Sequence, residues 1–169
     1  DILVNRSPER EIDLRALTSN PSESVTRELY AGVKRNYSVV RSRRAPPYVR
    51  HDEFYDQPEA DILYQDPGAH TNHFIYLQGL WHNGLESLTH ARETNSFEDY
   101  MVIAFVATSV NVVMTPEGGS PYQVRITIDD DPLASGHAGS DIRYDDEGNS
   151  YVLVDEPRMY RLVETSEFD

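Results

Sequence analysis

The sequence predicts an all-β protein that folds as an antiparallel β-sandwich or jelly roll. The clearest observation is the stretch 122–129, where apolar residues at the even positions alternate with Gln, Arg and Thr. Alternation with a period of two is typical of a strand that buries one face. Two further apolar segments, 151–155 and 158–163, follow close behind. After residue 25 no amphipathic helix stands out, and Gly, Pro and Asn separate the apolar segments, as in sandwiches and jelly rolls.

Earlier in the chain the same criteria indicate further strands. Residues 74–82 are apolar on both faces, which is typical of a central strand that is covered on both sides. Gly79 inside this strand predicts a bulge or a close approach of the backbone. The Asn83-Gly84 pair that follows is typical of a two-residue hairpin turn. The predicted strands before residue 122 are 29–33 at an edge, 62–64, 74–82, 85–94, 100–106 and 110–114.

Residues 1–25 differ in composition from the rest of the chain. Their few apolar residues stand among charges, and residues 18–24 are rich in Ser, Thr, Asn and Pro, which mark a turn-rich linker. We interpret 1–25 as a linker and the remnant of a preceding element, partly ordered if it docks on the sheet. Residues 26–169 then form the β-sandwich domain, which has an ordinary domain size.

Charge and cysteine content exclude several classes of function. The net charge of −14 argues against nucleic acid and anionic membrane surfaces, both of which attract Lys and Arg. The absence of cysteine excludes disulfides, a thiol nucleophile and a Cys-x-x-Cys redox centre within this chain. No apolar stretch is long enough to span a bilayer, so we expect no membrane contact by this chain itself. The basic loop with Arg41, Arg43 and Arg44 could hold an anion or pair with carboxylates.

Histidines and acidic loops provide the candidate metal ligands. His70 and His73 have a spacing at which two imidazoles can share a zinc ion, but the sequence identifies no third ligand. The acidic residues in 129–131, at Asp141 and in 145–147 suit calcium. They equally suit ordinary turns, in which Asp is common. We therefore predict no metal and no other cofactor.

An aromatic platform for a sugar is the candidate binding site that the residues themselves provide. Trp81, with Tyr76 and Tyr64 near it in sequence, could stack on the C–H faces of a sugar ring, and His73 could supply a hydrogen bond. Such rings are more often part of a sheet core. The sequence contains no nucleophile elbow, phosphate loop or dinucleotide fingerprint, so we assign no catalytic residue.

The chain contains Thr26-x-Glu28-x-Tyr30-x-Gly32, then Asn72-His73 with Gly79-x-Trp81, and it closes with the run from Glu156 to Val163. In this order the segments resemble the C-terminal domain of DipZ-type thioredoxin-like proteins. The first is similar to the family's Thr-Pro-Glu-x-Tyr-x-Gly motif, with Arg27 in place of Pro. Asn72-His73 followed by Gly79-x-Trp81 is similar to its Asn-His-Trp-x-Leu-x-Gly-x-Trp segment. The closing run from Glu156 to Val163 resembles the family's ending. Asp130 replaces the usual Gly of the family's Asp-Gly turn, so the type of that turn is open.

The resemblance covers about residues 26–164 and carries its own expectations. It implies a jelly-roll domain, similar to carbohydrate-binding modules, that follows an extracytoplasmic thioredoxin-like domain, in the periplasm or at the cell surface. The redox cysteines would lie in that upstream domain, which would be the partner of this one. The family offers no catalytic residue to transfer to this chain.

Three functional hypotheses follow. The first is a non-catalytic accessory domain of a thioredoxin-like protein, which binds a glycan or a protein partner. The second is a purely structural or dimerisation domain without a ligand. The third is a jelly-roll enzyme that acts on glycans, for which convergent carboxylates or histidines in one groove would be needed.

Overall fold

The computed structural model describes residues 2–5, 25–36, 47–94 and 96–165. Within these residues the chain is dominated by short β-strands, with a helical turn at 33–36 and 3₁₀ turns at Glu117–Gly119 and Ser135–His137. The α-helix and the strands are β1 (Ile2–Asn5), α1 (Asp52–Asp56), β2 (Asp61–Tyr64), β3 (Phe74–Asn83), β4 (Leu88–His90), β5 (Tyr100–Ala104), β6 (Ser109–Met114), β7 (Tyr122–Ile128), β8 (Asp131–Pro132), β9 (Arg143–Tyr144), β10 (Ser150–Val154) and β11 (Arg158–Glu164).

The strands form two sheets. In the large sheet the order is β2-β3-β5-β1-β7-β10-β9, with β4 paired to β3 and β8 paired to β7. The small sheet consists of β6 and β11, which pair antiparallel. In the large sheet β1 runs parallel to both its neighbours, β5 and β7, whereas the other pairs are antiparallel. The predicted class, an all-β protein with an antiparallel β-sandwich, is confirmed, and among the described residues the sheets do not close into a barrel.

The main core lies between the two sheets. Tyr160 and Leu162 of β11 are fully buried against Ile126 of β7 and Val152 of β10. Val124 and Ile126 of β7 are buried on the face that the alternation predicted, but Tyr122 on that face is 41% exposed and Thr127 on the opposite face is buried. Burying a large apolar side chain contributes about 1.5–3 kcal/mol, so this layer holds the small sheet in place.

A second core cluster lies beneath β2 and β3 and is closed by helical segments. Phe54 of α1 is fully buried there, together with Val33 from the helical turn and Leu77 from β3. Met101 and Ile103 of β5 pack against both clusters. On the opposite face of the sheet Phe74, Tyr76 and Val102 form a third, smaller cluster. Strand β3 is therefore covered on both faces, as its continuous apolar sequence predicts.

The predicted edge strand at 29–33 is wrong. Residues 26–31 are irregular and 33–36 form a helical turn. The buried side chain of Asn36 explains the difference, because its amide donates hydrogen bonds of 2.8 and 2.9 Å to the carbonyl groups of Tyr30 and Gly32. Carbonyl groups that are satisfied by a side chain do not form a sheet ladder.

The prediction of a two-residue turn at Asn83-Gly84 is also wrong, although β3 and β4 do form a hairpin. Asn83 is still part of β3 and pairs with Leu88, so residues 84–87 make the connection. The carbonyl groups of Gly84 and Leu85 accept hydrogen bonds from the backbone of residues 33 and 34. A long-range contact of this kind overrides the local preference for a tight turn. The predicted strand at 85–94 is shortened to β4.

The β7–β8 turn keeps a two-residue geometry without its glycine. Ile128 pairs with Asp131, and the two residues between them, Asp129 and Asp130, have φ values of 51° and 68°. Positive φ at both central positions defines a type I′ turn, which normally uses Asn-Gly or Asp-Gly. The sequence leaves the type of this turn open because Asp130 replaces the usual Gly. In the structure it is a type I′ hairpin turn, and it carries two carboxylates.

The segment 1–25, which we interpret as a linker and the remnant of a preceding element, is described only at residues 2–5 and 25. Residues 2–5 form β1 and dock within the large sheet. The boundary at residue 26 stays a prediction.

At Gly79, where the sequence predicts a bulge or a close approach of the backbone, the structure shows the close approach of a side chain instead. A Cβ atom at Gly79 would overlap the carboxyl group of Asp99, and Gly79 has a φ of 91°. Any other L-residue would be strained at this φ and would displace a buried carboxylate.

Gly79→Ala is therefore expected to destabilise the protein by more than about 2 kcal/mol, from backbone strain and steric overlap together. Gly148→Ala is the matched control, because Gly148 has a similar φ of 85°, and a Cβ atom added there would have no neighbour within 4 Å. Backbone strain alone should cost about 1 kcal/mol there. Urea unfolding of both variants measures the difference, and equal losses of stability would contradict the packing role of Gly79.

Candidate functional site

A hollow of about 230 Å³ opens on the outer face of the large sheet, and we call it the acid-lined hollow. Its floor is formed by β5, its first wall by the loop that precedes β3, and its second wall by the β7–β8 turn. Five of its seven lining residues carry a polar or charged side chain. The lining residues are Asp66, Gly68, His70, Tyr100, Val102, Asp129 and Asp130.

Asp66 is the best-connected polar group of the hollow. Its carboxylate accepts hydrogen bonds from Nε2 of His70 at 2.7 Å and from the Tyr100 hydroxyl at 3.0 Å. The Gly68 amide donates a third bond at 2.9 Å. Burial disfavours the charged carboxylate, but these donors outweigh it and lower the pKa of Asp66. Burial, together with the bond to Asp66, raises the pKa of Tyr100 to about 12, so its hydroxyl keeps its proton.

The loop that carries Asp66 and His70 is shaped by its own short-range contacts. Gly68 has a φ of 71°, a conformation that glycine adopts without steric cost, and its bond to Asp66 closes the turn. The Thr71 amide donates to the hydroxyl of Tyr76, and the His70 ring lies 4.7 Å from the Tyr76 ring. Because Tyr76 is buried in the sheet, it holds this loop against the outer face.

The tyrosines predicted as ligand contacts lie in the core. Tyr64 and Tyr76 are both 2% exposed. The Tyr64 hydroxyl donates to Oδ1 of the buried Asn83 at 2.6 Å, and burial raises the pKa of Tyr64 to about 12. Neither ring presents a face to solvent, so the geometry gives them a packing role. Tyr76 touches the acid-lined hollow only indirectly, through His70.

The other two predicted contacts, Trp81 and His73, are half-buried and lie on different elements. The indole N–H of Trp81 donates to the carbonyl of Gln78, and its ring lies 5.3 Å from that of His90. Nδ1 of His73 is hydrogen-bonded to Oγ1 of Thr26 at 2.8 Å. The structure does not bring the four predicted residues together around one hollow, and their role in ligand binding stays a prediction.

The candidate metal ligands are engaged in other contacts. His70 is bonded to Asp66 and His73 to Thr26. Asp141 pairs with Arg158 at 2.9 Å, and Asp145 accepts the backbone amides of Glu147 and Asn149, as in an ordinary acidic turn. Over the described part of the chain, no group of three or more His, Asp or Glu residues could hold a metal ion. The basic loop with Arg41, Arg43 and Arg44 lies outside the described residues.

Asp66 and Tyr100 were not predicted as site residues. They lie 34 positions apart, and neither belongs to a local motif that predicts the pairing. The sequence does indicate the loop that carries Asp66, because Asp66-Pro67-Gly68 is typical of a turn closed by an aspartate side chain. Asp129 and Asp130 were predicted only as calcium ligands or acidic turn residues.

A second, larger hollow of about 540 Å³ borders the segment around α1 and contains a buried histidine. His51 is 8% exposed, and its Nε2 accepts the Leu77 amide at 2.9 Å. Its ring lies 4.9 Å from Tyr64 and 6.4 Å from Tyr76. Burial lowers the pKa of His51, against the opposing charges of nearby carboxylates. A neutral ring is also what the hydrogen bond requires, because a protonated Nε2 cannot accept.

Comparison with known proteins gives one match. The family described as the thioredoxin-like C-terminal domain matches residues 26–169. Comparison with curated proteins gives no match, and comparison with solved structures gives none either. In the part of the chain that the structure describes, no helix is long and apolar enough to cross a membrane.

The stability of the protein is expected to fall as the pH drops below about 6.5, the ordinary pKa of histidine. The folded state holds His51 neutral with a lowered pKa, so the unfolded chain binds the extra proton first. His51→Gln should reduce this loss, because an amide oxygen can still accept from Leu77 but does not titrate. The measurement is the urea unfolding free energy at pH 7.5 and pH 5.5 for the wild type and the variant.

His137→Gln serves as the control for this measurement. His137 lies in the 3₁₀ turn Ser135–His137, where its backbone amide donates a hydrogen bond to the carbonyl of Ala134. Replacing the side chain keeps this backbone contact. A change in His137→Gln as large as that in His51→Gln would show that the effect is not specific to His51. His73 also has a lowered pKa, caused by burial and by Arg27, so some dependence should remain in His51→Gln. An unaltered dependence in His51→Gln would contradict the neutral, hydrogen-bonded state of His51.

Proposed function

Because the chain belongs to the family of thioredoxin-like C-terminal domains, we propose that it is the non-catalytic accessory domain of an extracytoplasmic thioredoxin-like protein and that it binds a glycan. The upstream thioredoxin-like domain is its partner and carries the redox cysteines. This assignment fits a chain without cysteine. The glycan occupies the acid-lined hollow.

The observation that carries the glycan proposal is the hydrogen-bonded group of Asp66, His70 and Tyr100 in the wall of the hollow. Carboxylates accept hydrogen bonds from hydroxyl groups, and charged acceptors make the stronger bonds. Histidine and tyrosine add apolar ring surface with a polar tip. This combination suits the alternating hydroxyl and C–H groups of a sugar. The three groups are already tied to one another, so little ordering is needed on binding.

The chemistry of the hollow also limits the class of sugar. Asp66, Asp129 and Asp130 give it a negative charge, which repels uronic acids and sulfated sugars and favours neutral sugars or amino sugars. Its volume of about 230 Å³ is below the roughly 300–1,000 Å³ of sites for drug-sized ligands. It therefore suits one sugar unit, either at a chain end or as the anchor of a longer chain.

The backbone conformation of the β7–β8 turn supports a role for its two carboxylates in binding the glycan. Asp129 and Asp130 both have positive φ, a region that is strained for most non-glycine residues and that Asp and Asn enter more easily than the others. A glycine at the second position would avoid part of this strain. Residues in strained backbone cluster at ligand sites, where the surrounding structure holds them. Both residues line the acid-lined hollow.

The absence of catalysis is supported by the state of Asp66. A glycosidase needs a carboxylic acid that keeps its proton, with a raised pKa, to protonate the leaving group. The donors around Asp66 lower its pKa instead, so its carboxyl group is ionised and has no proton to transfer. Oδ1 accepts from His70 and the Gly68 amide, whereas Oδ2 accepts from the Tyr100 hydroxyl and can accept one further hydrogen bond, from a sugar hydroxyl. Asp66 is therefore suited to binding a sugar and not to cleaving it.

A second surface favours the structural hypothesis, in which the domain docks on a protein partner. Val113 and Met159 lie opposite each other in the small sheet and are 75% and 52% exposed. Apolar side chains paired on a solvent-facing sheet are typical of contact sites. The proposed occupant is the upstream thioredoxin-like domain.

Glycan binding is tested by titrating neutral and amino-sugar oligosaccharides into the wild type and the variants Asp66→Asn and Asp130→Asn. Each variant should weaken binding by about tenfold or more, because a hydrogen bond to a charged group contributes about 1.5–3 kcal/mol. Asparagine tolerates positive φ, so Asp130→Asn should fold normally.

Asp146→Asn is the matched control, an exposed aspartate in the acidic turn near β10, outside the hollow. It should bind as the wild type does. Binding that all three variants retain would place the glycan elsewhere. Turnover of an oligosaccharide by the wild type, lost in Asp66→Asn, would replace the accessory function by an enzymatic one.

A further inference from the structure

The second hollow, which we call the His51 hollow, contains a hydrogen-bond donor that the fold leaves without a partner. The His51 ring is neutral because burial lowers its pKa, and its Nε2 accepts the Leu77 amide at 2.9 Å. A neutral imidazole with one accepting nitrogen carries its proton on the other nitrogen, so Nδ1 is a donor. Within the described part of the chain, no acceptor binds this Nδ1–H group.

The position of the ring directs this donor into the His51 hollow. His51 lines the hollow and is 8% exposed. Over the described residues, Oγ1 of Thr127 is the one enclosed side-chain N or O atom that lacks a hydrogen bond, so Nδ1 is not enclosed. The small accessible part of His51 therefore includes Nδ1. An acceptor atom of a ligand meets a donor that is already in place, on a ring fixed by its bond to β3.

Apolar surface lies around the same hollow. Pro47, Val49 and Pro67 line it, and their side chains have no polar atoms. Val49 is fully buried, and its carbonyl accepts the Tyr55 hydroxyl at 2.5 Å, so this wall is preformed. An acyl group needs a donor for its carbonyl oxygen and an apolar surface for its methyl group, and both are present here.

The charge of the His51 hollow favours a neutral acceptor. Asp52 and Glu53 line it together with Arg50, and all three are exposed. Two carboxylates against one guanidinium leave the hollow negative, which disfavours a ligand carboxylate. The carbonyl oxygen of an amide accepts hydrogen bonds without carrying a net charge. The three charged side chains can bind the hydroxyl groups of a sugar.

The His51 hollow and the acid-lined hollow share one wall. In the loop that follows β2, Gln65 and Pro67 line the His51 hollow, whereas Asp66 and Gly68 line the acid-lined hollow. Successive residues of this loop therefore face opposite sides. Gln65, Pro67 and Gly68 are exposed, so the loop is a surface ridge that a ligand can cross.

A buried ring also connects the two hollows. The His51 ring lies 6.4 Å from the Tyr76 ring, and the His70 ring lies 4.7 Å from the same ring. His51 lines one hollow and His70 lines the other. The two hollows are therefore neighbours, and a chain of two sugar units can place one unit in each.

We propose that the His51 hollow binds the N-acyl group of an amino sugar, while the next unit of the same glycan occupies the acid-lined hollow. The acyl carbonyl oxygen accepts from Nδ1–H of His51, and the methyl group packs on Pro47 and Pro67. This inference rests on the proposed glycan function and narrows the neutral and amino sugars to N-acylated ones. A peptide carbonyl is the same kind of acceptor, but the wall shared with the acid-lined hollow favours the glycan.

The test compares N,N′-diacetylchitobiose with cellobiose by calorimetric titration of the whole chain at neutral pH. The two disaccharides are uncharged and have the same linkage, and they differ in an acetamido group in place of a hydroxyl group. The wild type should bind the acetylated sugar at least about tenfold more tightly, which corresponds to about 1.4 kcal/mol. The reason is one additional hydrogen bond and one buried methyl group.

Gln65→Trp should remove this preference, because Gln65 is exposed and lines the His51 hollow, where an indole ring would take the place of the acyl group. Gln123→Trp is the matched control. Gln123 is exposed on β7 and lines neither hollow, so the control should keep the preference of about tenfold. A preference that persists in Gln65→Trp would place the acyl group elsewhere and overturn the proposal.

Nuclear magnetic resonance of protein labelled with ¹⁵N-histidine observes the donor directly. The Nδ1–H signal of His51 is assigned by its loss in His51→Gln. Diacetylchitobiose should shift this signal, and cellobiose should leave it in place. A signal that does not respond to the acetylated sugar would contradict the hydrogen bond to His51.

The outcomes separate this inference from the function on which it rests. Equal affinity for the two sugars, with both weakened in Asp130→Asn, overturns the acyl site and leaves glycan binding in the acid-lined hollow. Failure of both sugars to bind overturns the glycan function and the acyl site together. Binding of N-acetylglycine methylamide in preference to diacetylchitobiose, lost in Gln65→Trp, also overturns the proposal and assigns the His51 hollow to a peptide.

Discussion

The carboxylate of Asp99 joins three strands of the large sheet and has no solvent-exposed surface. It accepts two hydrogen bonds from the Arg92 guanidinium, one from His90 in β4, and one from the Leu80 amide in β3. The arginine in particular lowers the pKa of Asp99 well below its usual range, so the charge persists at any physiological pH. A buried charge is tolerated only while its partners stay in place, and β3, β4 and the start of β5 are thereby held in one arrangement.

The acid-lined hollow depends on this arrangement. Tyr100 directly follows Asp99 and begins β5, and its hydroxyl binds Asp66 across the hollow. Gly79 leaves the space that the Asp99 carboxylate occupies. The buried carboxylate of Asp99 and the surface site are therefore joined through two adjacent residues, Asp99 and Tyr100. The geometry that presents Asp66 to a ligand is set by strand pairing and not by the loop alone.

The charge distribution of the acid-lined hollow sets its ligand preference, because a hollow that collects carboxylates repels anions. All but one of the basic residues of this chain are arginine, and the stack of Arg158 on the Tyr160 ring at 3.8 Å uses the planar shape of that side chain. Lysine could replace its charge but not its fork geometry.

The regular part of the fold follows from the sequence, and the irregular part does not. The continuous apolar run in β3 predicts its burial on both faces correctly, and alternation in β7 predicts the buried Val124 and Ile126, because burial in a sheet depends on a period of two. Alternation does not predict that Tyr122 is 41% exposed or that Thr127 is buried. The structure departs from prediction where a polar side chain binds a distant backbone, as Asn36 does with residues 48 and 49, twelve and thirteen positions away. The candidate site has the same origin, since Asp66 meets Tyr100 only after β3 and β5 have paired. Aromatic residues near each other in sequence, such as Tyr64 and Tyr76, are instead buried in the core.

The position of β1 has a consequence for how the chain reaches its folded state. Ile2 pairs with Met101 on one side and with Ile126 on the other, so β1 leaves the ribosome about a hundred residues before the strands that it pairs with. Contacts this far apart in sequence slow folding, because a long loop must close before they form. Until β1 docks, β5 and β7 present open edges that can pair with another chain. The order of synthesis thus gives this sheet an interval in which association between molecules competes with its own completion.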